Sequence, residues 1–438
     1  MSELTLKGNA GYAANVVEVT EKNLVALPGL DNLNALHALG YQALVSKDIK
    51  PGTRVLLFPA ETQLSSDLAW ANNLFRHGMF NLDQEQKGYL EDNLRVRAIK
   101  LRGHRSDALV LPLSSVNFIS GNNGNPVFTA WDLGNQVFDH FEGVEICRKY
   151  IRPGSQNTNQ PAQPKKVRVA TKFFPEHFDT TRYAGNEHLI PEDAHVTITQ
   201  KLHGTSVRLA NVPVERTLSR WEKVLKWLRL PVQTEEYAIV SGSRRVTKAI
   251  GGEGLPDRDH WYGSMGDVWT EAGLNYGNLI PKNFVVFGEI IGWTADGQPI
   301  QKGYTYNLPN GSDALYVYRV AQVNPDGLLI DLPWGAVKQF CRERGLNHVP
   351  ELSAGLHEDF EMDEFLDQRY FEWLIAHGDG EVNVVPLSDP KSVDEGVAIR
   401  WDGAGYQPVV LKHKSPQFFQ YETKNLDADV VDIEAEEG

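Results

Sequence analysis

Short apolar segments separated by turn residues dominate the first third of the chain. Groups such as Lys50-Pro51-Gly52 stand between them and interrupt each apolar run. Short strands at this spacing are typical of a small β-barrel, which we predict for residues 1–147. The apolar segments are 15–19, 41–45, 54–60, 95–101 and 108–113.

Beyond residue 173 the pattern changes, because strand-length apolar runs alternate with longer stretches of helical period. This mixture predicts an α+β domain over residues 173–423. The predicted strands are 195–202, 237–243, 283–292, 315–320, 397–401 and 408–414, and the predicted helices are 220–230, 334–345 and 362–378.

Two segments lie outside these domains. Residues 148–172 contain seven Lys or Arg and no acid, and their richness in Pro, Gln and Asn is typical of a linker. From Asn425 onward the chain has six acids and no base. We therefore predict a basic linker at 148–172 and a solvated acidic tail at 424–438.

Bulk composition restricts the class of protein. With 41% apolar residues the chain can bury a core, and Cys147 and Cys341 are too few for a disulfide framework. We therefore expect a cytoplasmic, intracellular protein, and no apolar run has the length of a membrane span. The net charge of -14 disfavours nucleic acid as a partner, but residues 1–170 carry 18 Lys and Arg against 16 Asp and Glu.

One basic segment in this first part could contact phosphates. From Arg95 to Arg105 there are five cations and no acid. On a strand, Arg95 and Arg97 would share one face, and a bulge just after them would bring Lys100 and Arg102 to the same side. The alternative is a solvated barrel edge, since basic edges are common.

The strongest chemical signal is a lysine at the end of a predicted strand. Lys201 lies at the end of the 195–202 segment and is followed by His203 and Gly204. A Gly turn at this point would fold the backbone closely around the amine. Lysine acts as a nucleophile when burial or neighbouring cations depress its pKa. The pattern predicts such a nucleophile, although four residues alone are a weak motif.

Further strand ends carry the complementary charges. Glu289 ends one buried-type strand and Glu395 precedes another, and each could bind a divalent metal. Lys412 and Lys414 lie on one face of the last predicted strand. Together with Lys201 these groups suit nucleotidyl transfer, in which metal and lysines neutralise a triphosphate while an amine attacks its α-phosphorus.

These segments resemble the motifs of the covalent nucleotidyltransferases, the superfamily of polynucleotide ligases and mRNA capping enzymes. The motifs follow one another in family order between residues 201 and 414. The resemblance implies that Lys201 becomes linked to AMP. It further implies catalytic roles for His203, Lys412 and Lys414, and metal binding by Glu395 and Glu289.

The resemblance also implies a nucleotide site. Arg244 corresponds to an arginine that contacts the ribose, and Tyr318 to an aromatic ring that stacks on the base, with Tyr316 as the alternative. Many relatives have Glu where Gln200 stands, so the choice between ATP and GTP stays open at this residue. His203 either contacts a metal through water or packs as a neutral ring. The residues implied to bind the nucleotide are Gln200, Gly204, Arg244, Glu289, Tyr318, Lys412 and Lys414.

Two features indicate the branch of the superfamily. His203 is similar to the first motif of RNA ligase family two, whereas a barrel before the catalytic domain resembles RNA ligase family five. That second family has an N-terminal OB domain, which segments 54–60 and 93–100 resemble. The likeness implies an α+β protein with an N-terminal OB-like β-barrel followed by a ligase-type nucleotidyltransferase domain.

The likeness further implies the reaction. We expect an ATP-dependent RNA ligase that uses Mg²⁺ or Mn²⁺ and joins 3′-OH and 5′-phosphate ends through a lysyl-AMP. Its expected partner is RNA or an RNA/DNA nicked duplex, with no membrane, and we expect a monomer. Two alternatives share the motifs. A capping-type guanylyltransferase should have its barrel C-terminal, and an inactive RNA-binding protein should have lost a catalytic residue.

Overall fold

The conformation of most of the chain is described by a computed structural model. The described residues are 4–120, 136–151, 169–178, 180–251, 267–377, 386–389, 392–403 and 405–427. Contacts divide the chain into two compact units, of which the first comprises Met1–Ser155 and Pro416–Val430 and the second comprises Gln156–Ser415 and Val431–Gly438. None of the helices in the described ranges combines the length and apolar character needed to cross a bilayer.

Six α-helices form within the described residues. They are α1 (Ser66–Ala71), α2 (Arg220–Trp227), α3 (Val268–Tyr276), α4 (Trp334–Arg344), α5 (Met362–His377) and α6 (Pro416–Asp427). Helices α2, α4 and α5 confirm the three predicted helices. Local signals set two of the ends: Ser219 and Glu222 form a capping box at the start of α2, and the left-handed Gly345 ends α4.

The strands of the two units are short in the first and longer in the second. Those of the first unit are β1 (Leu4–Thr5), β2 (Ala14–Glu18), β3 (Leu24–Ala26), β4 (Leu33–Ala38), β5 (Tyr41–Ser46), β6 (Arg54–Pro59), β7 (Thr62–Leu64), β8 (Ile99–Leu101), β9 (His104–Ser106), β10 (Ala108–Pro112), β11 (Val137–Phe138), β12 (His140–Phe141), β13 (Val144–Glu145) and β14 (Cys147–Lys149). Those of the second unit are β15 (Thr181–Arg182), β16 (His195–Lys201), β17 (Thr205–Glu215), β18 (Glu235–Gly242), β19 (Thr247–Gly251), β20 (Phe284–Gly292), β21 (Asp313–Val323), β22 (Leu329–Asp331), β23 (Asn347–His348), β24 (Glu351–Leu356), β25 (Gly396–Trp401) and β26 (Val409–Lys414).

The first unit is built on several small sheets. The largest has the order β10-β6-β2-β11, and β3, β4 and β5 form a separate sheet. Alternating side chains of β6 serve two cores, since Leu56 and Phe58 belong to one and Val55 and Leu57 to the other. The pairings within the described residues do not close into a ring, so the barrel stays a prediction.

Helix α6 packs in the first unit, although it follows the last strand of the second. Phe419 joins an apolar core of the first unit. Glu61 accepts two hydrogen bonds from Arg95, at 2.6 and 2.8 Å, and one from the Thr423 hydroxyl at 2.8 Å. The contacts therefore divide the end of the chain differently from the expected domain boundary at residue 423.

Within the basic segment 95–105, which we expected either to contact phosphates or to form a solvated edge, Arg95 fits neither interpretation. The side chain of Arg95 is only 2% exposed, and two carboxylates match its charge. Arg97 forms an ion pair with Asp427 of α6. The strand predicted at 95–101 is also shorter than expected, since only β8 (Ile99–Leu101) forms within it. Both arginines thus hold α6 in place, Arg95 as a buried residue and Arg97 as an exposed one.

Two sheets organise the second unit. One has the order β15-β26-β25-β16-β24, and the other has the order β19-β18-β17-β20-β21-β22, with β23 also paired to β21. The six strands predicted here are confirmed by β16, β18, β20, β21, β25 and β26. Because β16 leads into β17 through residues 202–204, one short turn connects the two sheets directly after Lys201.

The apolar core beneath the first of these sheets fixes which side chains face the site. Val196 and Ile198 of β16 pack there with Ile399 of β25 and Leu366 of α5. Successive residues on a strand point to opposite faces, so Lys201 lies on the face away from this core.

Candidate active site

Lys201 and Glu395 form an ion pair at the turn between the two sheets of the second unit. Lys201 is the last residue of β16, and Glu395 immediately precedes β25. The Nζ atom of Lys201 lies 2.8 Å from Oε1 of Glu395, whose side chain is 2% exposed, whereas that of Lys201 is 29% exposed. A buried carboxylate therefore holds the amine of a side chain that is itself partly exposed.

The strand register places the charged residues in one row. Across β26, β25 and β16, Lys414 is paired with Gly396, and Gly396 is paired with Lys201. The Lys414 Nζ atom lies 3.5 Å from Oε1 of Glu395. Gly396 has a φ of +146°, and a Cβ there would lie 2.1 Å from the carbonyl oxygen of His413. The row therefore requires a glycine directly after Glu395.

The Glu395 carboxylate and the Lys201 amine keep each other charged. Burial raises the pKa of Glu395, but attraction from Lys201 and Lys414 outweighs burial and lowers that pKa to about 2. Burial lowers the pKa of Lys201, but Glu395 and Glu289 attract its ammonium, so the net pKa is above the ordinary lysine value. Lys201 is therefore protonated in this arrangement, and weakening its pair with Glu395 would favour the nucleophilic amine.

Lys412 lies on the same face of β26 as Lys414, as predicted. Burial lowers the pKa of Lys412, and the charges of Lys414, Lys201 and Arg244 lower it further, to about 7. Several cations thus converge on one small region. Their mutual repulsion is unfavourable, and an entering polyanion would relieve it. A triphosphate has the charge that this arrangement attracts.

Glu289 lies inside β20, not at its end as predicted, because the strand continues beyond it. Its carboxylate holds the turn after Lys201: the Gly204 N–H donates to Oε1 at 3.0 Å, and the Ser206 hydroxyl donates to Oε2 at 3.4 Å. A Cβ on Gly204 would lie 2.2 Å from the carbonyl oxygen of Ile290. Glycine is therefore required for β20 to approach this turn.

His203 is held by aromatic residues that the sequence analysis did not single out. Its ring meets the Tyr304 ring edge to face, with 4.6 Å between centroids. Its backbone N–H donates to the Tyr306 hydroxyl at 2.8 Å, and its Nδ1 lies 3.6 Å from Oε2 of Glu395. The ring is packed and also turned toward the carboxylate, so the geometry accommodates both interpretations of this residue.

Gln200 points to the opposite face of β16 from Lys201. Its Nε2 donates to Oδ1 of Asp394 at 2.9 Å, and Arg369 of α5 donates to Oδ2 of the same carboxylate at 2.6 Å. Asp394 and Arg369 were not predicted as site residues. This arrangement ties Gln200 to the residue before Glu395 instead of directing it toward the face of Lys201.

Arg244 and Tyr318 lie beside His177, which was also not predicted as a site residue. The Tyr318 and His177 rings meet edge to face at 5.3 Å, and the His177 N–H donates to the Arg244 carbonyl at 3.3 Å. Burial and neighbouring arginine charges lower the pKa of His177 to about 3, so its ring is neutral. Tyr316, the alternative aromatic residue, is instead the partner of Glu289 across β20 and β21.

Glu395 and Glu289 provide the oxygen atoms that a divalent metal prefers. Oε2 of Glu395 is buried and accepts no hydrogen bond within the described residues, so it can accept a cation. No group of three or more His, Cys, Asp or Glu side chains in those residues forms a complete metal site. The donors therefore fit a metal that keeps water and substrate phosphate as further ligands, as Mg²⁺ commonly does.

The residues of this site lie in a region whose sequence matches a known protein family. The sequence model of the family described as RNA ligase matches residues 194–414, just over half of the 438 residues. The matched range contains every candidate site residue from Gln200 to Lys414. The chain belongs to the RNA ligase family. A comparison of this RNA ligase with curated proteins gives no match.

Solved structures of an RNA ligase from Naegleria gruberi have the same fold as this RNA ligase. A lysine-to-alanine mutant with ATP and Mn has a TM-score of 0.52 at 16% identity, over 97% of this chain and 100% of that chain. A glutamate-to-alanine mutant with ATP and Mn gives 0.54 at 16%, over 94% and 99%. A lysine-to-methionine mutant with AMP and Mn gives 0.52 at 16%, over 93% and 98%. At this identity the likeness establishes the mixed α+β fold.

Proposed function

We propose that this RNA ligase is ATP-dependent and transfers AMP to Lys201. The observation that carries the proposal is the row of Lys201, Gly396 and Lys414 around the Glu395 carboxylate. An amine, a buried carboxylate and converging cations are the groups that phosphoryl transfer from a triphosphate requires.

In the first step the Lys201 amine attacks the α-phosphorus of ATP. A P–N bond forms, the P–O bond to pyrophosphate breaks, and the Lys201 ammonium loses two protons to solvent, so that the neutral phosphoramidate nitrogen keeps one N–H. Glu395 opposes the first proton loss in the resting state, because it pairs with the ammonium. Lys412 and Lys414 neutralise charge on the α-phosphate and the departing pyrophosphate.

The proposed metal is Mg²⁺ or Mn²⁺, held by Glu395 and Glu289. When bound, such an ion would neutralise phosphate charge and compete with Lys201 for the Glu395 carboxylate. Arg244 would contact the ribose, and Tyr318 would stack on the base. Mn together with ATP or AMP in the Naegleria gruberi RNA ligase structures supports this choice of nucleotide and metal.

In the remaining steps the AMP passes to a strand end and is then released. The 5′-phosphate attacks the phosphorus bound to Lys201, so the P–N bond breaks and a P–O–P bond forms. The adjoining 3′-OH then attacks that 5′-phosphate, a phosphodiester forms, and AMP leaves. We propose a nicked duplex with RNA on the 3′-OH side as substrate, which the likeness to RNA ligase family five supports.

The first unit has a separate role in this proposal. We propose that it is an OB-like domain that binds the nucleic acid, and that the enzyme acts as a monomer. The exposed cations Lys100 and Arg102 on its β8–β9 hairpin support binding to a phosphate backbone.

Labelling of Lys201 tests the proposal. The protein is incubated with Mn²⁺ and either ATP or GTP, and its intact mass is measured. We expect one added AMP from ATP on the wild type and on Lys282→Ala, which changes an exposed lysine, and none on Lys201→Ala. A GMP adduct from GTP would favour a guanylyltransferase, and no adduct from either nucleotide would favour an inactive RNA-binding protein. Wild-type labelling of Lys201→Ala would refute the nucleophile.

A further inference from the structure

Helix α2 presents large apolar side chains to solvent. It lies in the connection between β17 and β18, and none of its residues is buried. Trp221 and Trp227 are each 79% exposed. Tryptophan is highly buried on average in folded proteins, so two nearly bare rings on one short helix indicate a binding surface.

The apolar side chains of α2 and of the turn after it lie together on one side. At 3.6 residues per turn, the spacing i, i+3, i+4 and i+7 defines one face, with one tryptophan at its edge. The apolar members are Trp221, Val224, Leu225, Trp227 and Leu228. Of the cations, Lys223 and Lys226 lie on the other side, Arg220 lies at the start of the helix among the apolar positions, and Arg229 lies in the turn after it.

Hydrogen bonds at the N-terminal end of α2 stabilise the helix, since none of its residues is buried. The Ser219 hydroxyl accepts from the Glu222 N–H, and the Glu222 carboxylate accepts from the Ser219 N–H. Glu222 also pairs with Arg216, so its charge is compensated and the cations of α2 remain in excess. Such a short helix is marginal in water without packing, and a surface that covered its apolar half would stabilise it.

We propose that α2 binds the surface of an anionic lipid membrane. The apolar arc covers about half of the helix circumference and includes two tryptophans, with lysines on the other side, which is typical of a helix that lies in a lipid interface. Tryptophan favours the level of the lipid headgroups. The four cations complement anionic lipid phosphates. When the apolar side of α2 lies in the lipid, the long side chains of these cations can extend toward the phosphates.

The position of α2 leaves the catalytic turn free. Strand β17 begins at Thr205, beside Lys201, and ends at Glu215, just before α2. At about 3.3 Å per residue the strand separates the two by roughly 30 Å. Membrane binding is therefore independent of the proposed adenylylation of Lys201, and either can fail without the other.

Vesicle flotation with the full-length protein tests the proposal. The probes are phosphatidylcholine vesicles with and without phosphatidylglycerol. We expect the wild type to float with the anionic vesicles, and to float less at high salt or with phosphatidylcholine alone. Absence of flotation with anionic vesicles at low salt would overturn the proposal.

Matched variants locate the binding surface. Leu228→Ser should lower the bound fraction about tenfold. Leu274→Ser is the matched control: Leu274 has the same 53% exposure but lies on α3, outside the proposed surface, so this change should not affect binding. Lys223→Glu with Lys226→Glu should lower binding at least about tenfold. The same reversals at the exposed Lys22 and Lys47 serve as the control. All variants should keep the circular dichroism spectrum and the unfolding temperature of the wild type, which verifies their fold without recourse to adenylylation.

Other occupants of this surface would give different results. Equal flotation of the wild type and Leu228→Ser would show that α2 is not the contact. If vesicles do not bind and Leu228→Ser abolishes a dimer seen by light scattering, the occupant is a second copy of the chain. If vesicles do not bind and the lysine reversals weaken RNA binding, the occupant is RNA. Each of these outcomes overturns the membrane proposal.

Discussion

The surroundings of Lys412 lower its pKa to about 7, so its charge changes near neutral pH. Burial and three neighbouring cations lower its pKa to about 7, whereas a free lysine titrates near about 10.4. A lysine with a depressed pKa is charged below that pKa and neutral above it. The cationic character that would attract a triphosphate therefore declines as the pH rises through neutrality.

We predict that the KM for ATP in self-adenylylation rises with pH above about 7, by up to about tenfold per pH unit. Lys412→Arg should remove this slope, because arginine stays charged throughout the range. The measurement is the initial rate of AMP uptake against ATP concentration at each pH. Separation of KM from kcat is essential, because deprotonation of Lys201 acts on kcat. An unchanged slope in Lys412→Arg, with Lys282→Arg as the control, would contradict the prediction.

At the residue scale, the sequence predicted which charged residues lie at the candidate site better than it predicted where individual side chains point. Lys201, Glu395 and Lys414 were predicted from motifs, and the strand register brings them together. Gln200 was expected at the nucleotide, yet the period of two along a strand already places it on the opposite face from Lys201. His177 could not be predicted, because it follows no motif and reaches Tyr318 through tertiary packing.

At the scale of elements, α5 supports the strands of the candidate site through a buried ion pair. Arg369 lies 2.6 Å from Asp394, and Asp394 accepts a hydrogen bond from Gln200. Burial raises the pKa of Asp394, and Arg369 and Gln200 counter part of that effect. Since Asp394 precedes Glu395, this pair fixes the backbone that positions the Glu395 carboxylate.

We predict that Arg369→Met destabilises the protein by roughly 3–5 kcal/mol, the cost of leaving a buried carboxylate without its partner. The loss should be smaller at about pH 5 than at about pH 8. Without arginine the pKa of Asp394 rises further, and protonation at low pH then removes the unpaired charge. Urea unfolding at both pH values measures this, and Arg342→Met on the exposed face of α4 is the control. A loss independent of pH would show that Asp394 is not the group responsible.

Elements with a clear period were predictable, and those that depend on their context were not. Strands β16, β20 and β25 match apolar runs because they are buried on at least one face. Strand β17 was missed because Asn211 and Pro213 interrupt its apolar pattern. Its neighbours β18 and β20 supply the pairing that makes it a strand, and no local signal records them.

At the scale of the whole molecule, the chain returns to its first unit at the end. Ser415 donates to the Glu395 and Asp394 carbonyls, and the next residue begins α6. Asp427 was interpreted as part of a solvated tail, but it pairs with Arg95 and Arg97. Charge composition could not reveal this, because the partners are more than 300 positions apart along the sequence.

This topology determines how the chain can be divided for experiments. A fragment of residues 169–415 keeps Val169, Phe173 and Phe174, which belong to a core of the second unit, and it keeps Ser415 beside Glu395. We predict that it takes up AMP from ATP at close to the full rate. It should seal nicks poorly, especially at high salt, because it lacks the phosphate contacts proposed for the first unit.

A second fragment, residues 169–427, tests where α6 belongs. It retains the helix but removes the unit that buries Phe419 and Thr423, so it should be less soluble than the 169–415 fragment. The measurements are AMP uptake, sealing of nicked duplexes with RNA or DNA at the 3′-OH, and light scattering of both fragments. Equal solubility would show that α6 does not need the first unit. A 169–415 fragment that is folded but takes up no AMP would show that adenylylation needs the first unit, which contradicts the proposed division of roles.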